Sequence, residues 1–212
     1  MEDTKTAPRT TRARNRRGEG GRLRDEIITA AMELLEESGD ERTVTLRSIA
    51  RRIGISAPSI YPHFPDQPAI MLAVVRQAFE ELDRQLRTAG AHVGDDPRQR
   101  LHAVCHAYLD FARNHPERYR TMFGGLWMPT LGDTLTEKDL TTLGSASLRL
   151  LAETLDDCAA AGVADSTDPP SDAIALWLGL HGLAHQRAVT RVFPWPNDIA
   201  ERLITALAHL RD

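Results

Sequence analysis

From Leu23 to Leu210 the apolar residues recur three and four positions apart, and no stretch alternates with a period of two. This limits the chain to packed amphipathic helices, because a helix with one apolar stripe must bury it against a neighbour. A first helix is expected from about Leu23 to Ser38, with Ile27, Ala31, Leu34 and Leu35 on its stripe and Gly39 at its end. Thr45 caps a second, which carries Leu46, Ile49, Ala50 and Ile53 and stops at Gly54. Ser56 caps a very short third, with Pro58 in its first turn and Pro62 at its end. Asp66 opens a long fourth, Pro68 to Ala89. Pro97 opens a fifth to Asn114, and Pro116 a sixth to Phe123. One continuous seventh helix is expected from Thr136 to Ala161. The eighth, Ser171 to Thr190, is apolar nearly all round. The last, Asn197 to Leu210, has Ile199, Leu203, Ala206, Leu207 and Leu210 on one stripe. The fold class is all-α, with about nine helices.

Apolar residues make up 42 % of the 212, enough for a hydrophobic core without disulfides. Two cysteines, Cys105 and Cys158, exclude a disulfide framework and fit a reducing cytoplasm. No run is long enough for a membrane span, and no apolar stretch near the N-terminus reads as a secretory signal. The net charge of −4 is unevenly spread. Residues 1–24 hold eight basic groups against three acids, while residues 65–212 hold 14 against 20. A basic segment on an otherwise acidic chain points to a polyanion at one end. Residues 1–21 have almost no large apolar groups and read as a disordered arm. The arm is either a solvated tail or, as favoured here, a tether whose arginines enter a minor groove and release counterions.

Residues 45–64, TLRSIARRIGISAPSIYPHF, describe a capped helix, a glycine turn and a second short helix. An ordinary helical hairpin has the same pattern; so does a helix-turn-helix that inserts its second helix in a major groove. The segment resembles the TetR/AcrR family of transcriptional repressors. The resemblance rests on Ile27 to Ala31, Leu34, Gly39, Thr45, Ile49, Ala50, Gly54 to Ser56, Ser59 to Tyr61, His63, Phe64 and Ile70. Trp177, His181 and Gly182, with the stretch Asn114 to Phe123, resemble a TetR-type ligand-binding class with a Trp-His-Gly signature. The resemblance implies that Thr45, Arg47, Ser56, Ala57, Pro58, Ser59, Tyr61 and His63 face DNA, with Tyr61 and His63 on phosphate. Leu46, Ile49, Ala50, Ile53, Ile60 and Phe64 read as core. Ala57, Pro62 and Gln67 depart from the family pattern, which leaves few side chains for base reading.

His102, Cys105 and His106 share one helical face, and His181 and His185 form a second pair four residues apart. Histidines so spaced can bind zinc. Neither pair has the glutamate of a HExxH protease motif, and they read as pocket-lining or partly exposed histidines, with no metal and no cofactor. The cysteines read as small buried hydrophobes rather than a redox pair. Tyr108, Phe111, Met122, Phe123, Trp127, Met128, Arg149, Trp177 and His181 are candidates for an apolar pocket. No phosphate loop or catalytic triad order occurs, which argues against an enzyme.

The expected organisation is an arm (1–21), a DNA-binding head (22–66) and a ligand-binding and dimerisation domain (67–212). The expected function is a cytoplasmic, homodimeric repressor on a palindromic operator, released by a small apolar effector. The last two helices are the expected dimer seam. An activator without a ligand, or a metal- or redox-sensing helical regulator, are the alternatives.

Overall fold

The computed structural model describes residues 20–124, 136–190 and 192–211. Among the described residues stand nine α-helices and no strand. They are α1 (Gly20–Ser38), α2 (Leu46–Ile53), α3 (Gln67–His92), α4 (Pro97–Asn114), α5 (Pro116–Phe123), α6 (Glu137–Thr141), α7 (Ser145–Ala160), α8 (Pro169–Val189) and α9 (Ile199–Leu207). Short 3-10 turns occupy Glu41–Thr43 and Ala57–Ser59. The chain forms two compact units that divide inside α3, between Ile70 and Met71.

In the first unit, α1 and α2 pack on a core of Ile27, Ala31, Leu35, Val44, Ile49, Ile60, Phe64 and Ile70. The Thr45 hydroxyl accepts from Ser48 N–H at 3.1 Å, and Ser48 Oγ accepts from Thr45 N–H at 2.9 Å. This reciprocal cap fixes where α2 starts. Gly54, at φ +71°, ends it in the left-handed region. Arg52 ties α2 to α1 through Glu33 at 3.2 Å and Glu37 at 2.5 Å.

The second unit packs α4, α7, α8 and α9 around Leu101, Phe111, Leu155, Leu176 and Leu180, all fully buried. A Cβ on Gly179 would lie 2.5 Å from Leu207, so the bare glycine lets α9 approach α8 closely. Beyond α9 the chain turns at His209, φ +50°, and Leu210 forms an antiparallel bridge with Ala164 in the α7–α8 connection. Arg211 reinforces the bridge by donating its N–H to Val163 at 3.0 Å and its guanidinium to the Asp165 carboxylate.

The structure corrects several expectations. The seventh segment is two helices, because Gly144 sits at φ +73° and breaks it. A side chain there would also strike the Phe79 ring at 2.7 Å. The third segment is a 3-10 turn, not an α-helix, and Ser56 makes no side-chain cap bond. Pro62 has no N–H to give to the preceding turn and disfavours helical backbone at Tyr61. On the last helix, Ile199, Leu203 and Leu207 are partly buried against the core of their own chain. That helix also stops at Leu207, and α1 already begins at Gly20.

Candidate nucleic-acid interface and regulatory cavity

The residues proposed from sequence for DNA lie at the start of α2 and on the turn packed against it. Thr45, Arg47, Ser56, Pro58 and Tyr61 are exposed, and Ala57, Ser59 and His63 are half-buried. Tyr61, at 58 % exposure, stands out because its neighbours Ile60 and Phe64 are fully inside. The two serine hydroxyls, Ser56 and Ser59, lie 2.8 Å apart and hold the turn. Arg47 makes no ion pair among the described residues, whereas Arg52 is held by acids. Of the other basic groups, Arg24 lies 4.7 Å over the Phe64 ring. Gln67 donates its amide to the Glu41 carbonyl at 3.2 Å, so it braces the first unit. The face therefore offers hydroxyls, one imidazole and a free guanidinium, groups that donate to phosphate oxygens. A proline-bounded turn presents few long side chains for base edges.

The second unit holds a cavity of about 100 Å³ between α3, α4, α5, α7 and α8. Tyr108, Phe123 and Trp177 line it, as proposed from sequence. Phe79, Leu82, Gly144, Ser147 and Leu148 also line it and were missed. The break at Gly144, which admits Phe79, was their only trace in the sequence. Phe111 is instead deep core beside His115, Met122 packs on the core, and Arg149 is exposed; none lines the cavity. Trp127 and Met128 lie outside the described residues.

His181 stands beside the cavity in an aromatic cluster. Its ring stacks on Trp177 at 5.5 Å and meets Phe123 edge-on at 5.0 Å. Its Nδ1 is 2.7 Å from the Tyr119 hydroxyl and 3.3 Å from that of Tyr108. The two hydroxyls are 3.1 Å apart. Burial pushes the Tyr108 phenol up to about 12 and the Tyr119 phenol higher still. Burial, then the neighbouring His185, holds His181 below its ordinary value. All three groups are thus neutral at pH 7, and among the described residues no charged side chain lines the cavity. Ser147 Oγ is buried there without a hydrogen-bond partner.

Elsewhere, Cys105 and Cys158 are free, buried thiols; burial pushes Cys158 up to about 11 and Cys105 further, so both are inert. The second histidine pair divides, with His181 in the cluster and His185 exposed. The first pair meets a residue that no local reading could supply. Glu201, on α9, reaches His102 Nδ1 at 2.8 Å and His106 Nε2 at 2.5 Å. No helix among the described residues is long and apolar enough to cross a membrane.

Comparison with known proteins agrees with this division into units. Residues 27–74 match the model of bacterial regulatory proteins of the tetR family, and residues 101–210 match the tetracyclin repressor-like C-terminal domain. The HTH-type transcriptional activator FasR of Mycolicibacterium smegmatis is 32 % identical over 100 residues, 47 % of this chain and 45 % of that protein. The chain thus aligns with less than half the length of that relative. A protein of unknown function from Rhodococcus sp. RHA1 superposes with a TM-score of 0.73 at 26 % identity, over 92 % of this chain and 95 % of that one. SmeT, the repressor of a multidrug efflux pump in Stenotrophomonas maltophilia, shares the fold with a TM-score of 0.63 at 18 % identity, over 89 % and 91 % of the two chains. The matched models span the exposed α2 region and, from residue 101 on, the helices α4, α5, α7 and α8 that border the cavity, and they describe regulators rather than enzymes: the chain belongs to the TetR family of bacterial transcriptional regulators.

Proposed function

We propose that this chain is a cytoplasmic, homodimeric repressor that leaves a palindromic operator when a small, uncharged, largely apolar effector binds its second unit. The head is assigned residues 20–70, the arm the residues before them, and effector binding and dimerisation residues 71–212. The observation that carries the reading is the cavity. It is aromatic, uncharged and furnished with one unsatisfied hydroxyl, Ser147. Its volume of about 100 Å³ is below the roughly 150 Å³ that accommodates benzene in a protein core. An effector therefore has to widen it, and that differential affinity is what couples ligand to conformation.

Dimerisation is supported by α8. Ile174, Leu178, Gly182, His185 and Val189 recur along one exposed face, with Ile174 45 % and Leu178 55 % exposed. A two-fold copy of that face would bury it, and two heads so related read a palindrome. Leu178→Glu should give monomer and abolish cooperative operator binding, while a stable wild-type monomer in sedimentation at micromolar concentration refutes the dimer.

FasR is an activator by name, which favours activation as the second reading. Selection of bound genomic DNA, then a reporter assay with and without the regulator, separates the two. Repression requires higher expression without the protein. A thermal-shift screen of apolar compounds that finds none able to stabilise the chain and release the DNA refutes effector control.

A further inference from the structure

We propose that His102, His106 and Glu201 form a site for a divalent transition-metal cation of the zinc type, fastening α9 to α4. The two histidines stand one turn apart on α4, and α9 brings the carboxylate against both. The three ligand atoms all lie within 4.8 Å of one another. Ligands on a tetrahedral zinc, at bonds of about 2.0–2.2 Å, are roughly 3.3 Å apart. The carboxylate therefore has to withdraw by less than about 1 Å to admit the ion. It is free to do so, since the Glu201 side chain is half exposed.

The donor set is two imidazoles and one carboxylate, which suits zinc, cobalt or nickel rather than magnesium or calcium. Three protein ligands leave a fourth position for water. No cation among the described residues competes for the carboxylate. Arg202, the next residue on α9, is engaged by Asp198 at 2.7 Å. Cys105, between the histidines in sequence, is fully buried in the core and is not a ligand. The site is separate from the cavity, none of whose lining residues it shares apart from neighbours on α4.

The test uses the full chain, stripped with a chelator and titrated with zinc chloride by calorimetry, with cobalt absorption reporting geometry. One zinc per chain is expected, a tetrahedral cobalt spectrum, a higher melting temperature with zinc, and no response to magnesium. His106→Ala and Glu201→Ala should each weaken zinc by at least the roughly 10- to 100-fold that even an outer-shell partner costs. Both positions are partly exposed, so the variants should fold, which circular dichroism checks. His92→Ala, at the exposed end of α3, should leave zinc binding unchanged. No uptake at tens of micromolar zinc, uptake that survives in the His102→Ala/His106→Ala double variant, or uptake lost in His92→Ala each overturns the site.

Discussion

The two units keep their polar groups in opposite places. In the first, Thr45 and Ser48 satisfy each other, Ser56 and Ser59 do the same, and the buried residues are all apolar. In the second, hydroxyls and an imidazole are drawn inside: Tyr108, Tyr119 and His181 bond to one another beside the cavity, and Thr121 and Thr154 are buried. The first unit is built to be touched from outside, through side chains fixed by bonds a few residues long. The second is built to hold something within, through partners up to 73 residues apart. Local bonds make a surface cheap to change, whereas an interior assembled from distant helices is sensitive to each loss.

This contrast can be broken at several points. The largest effect is expected from Phe111→Ala, which empties a fully buried site in the second unit and should cost about 3–5 kcal/mol in denaturant unfolding. Thr45→Ala removes the cap of α2 and should cost only about 1 kcal/mol. If the two substitutions cost the same, the proposed difference between the units is wrong. Tyr61→Phe deletes one exposed hydroxyl. It should leave the unfolding curve unchanged and weaken operator binding about fivefold, roughly 1 kcal/mol, without altering base preference. A changed preference in competition assays would make Tyr61 a base reader.

The smallest effect concerns pH. Because His181 is held below its ordinary 6.5 in the folded chain, folding favours its neutral form. Its contribution is therefore complete above about 6.5 and falls away as the pH drops below that value towards the folded pKa. Acid titration of stability should show this loss, and His181→Gln should flatten it. An unchanged profile would mean that the cluster tolerates the charge.

What the sequence revealed follows the same division. Both ends of α2 are legible because Thr45 and Gly54 mark them within ten residues. The turn after it was overestimated as a helix, although Pro62 carried the contrary signal through its missing donor. In the second unit, Tyr108, Phe123 and Trp177 were found by their chemistry. Phe79 and Ser147 were not, since their place depends on how α3 meets α7 at Gly144. Arg149 and Phe111 share the residue types of a pocket but face outward and inward respectively. The stripe of the last helix is only partly covered by its own chain. Periodicity reports which residues want burial, not whether their own chain or a copy supplies it. Glu201 lies 95 residues from His106, beyond any spacing rule.

The bridge between Ala164 and Leu210 changes the topology of everything between them. With Arg211 bonded to Asp165, 46 positions away, α8 and α9 form a closed loop rather than an open strand of chain. Closing such a loop costs little more than closing one half its length, about 0.6 kcal/mol per doubling. A ring has no loose end from which to fray, so α9 cannot peel away by its last turn while the bridge holds. Hydrogen exchange should then protect the amides of α8 and α9 as one unit, and Arg211→Pro, which removes the N–H donated across the bridge to Val163, should release them together.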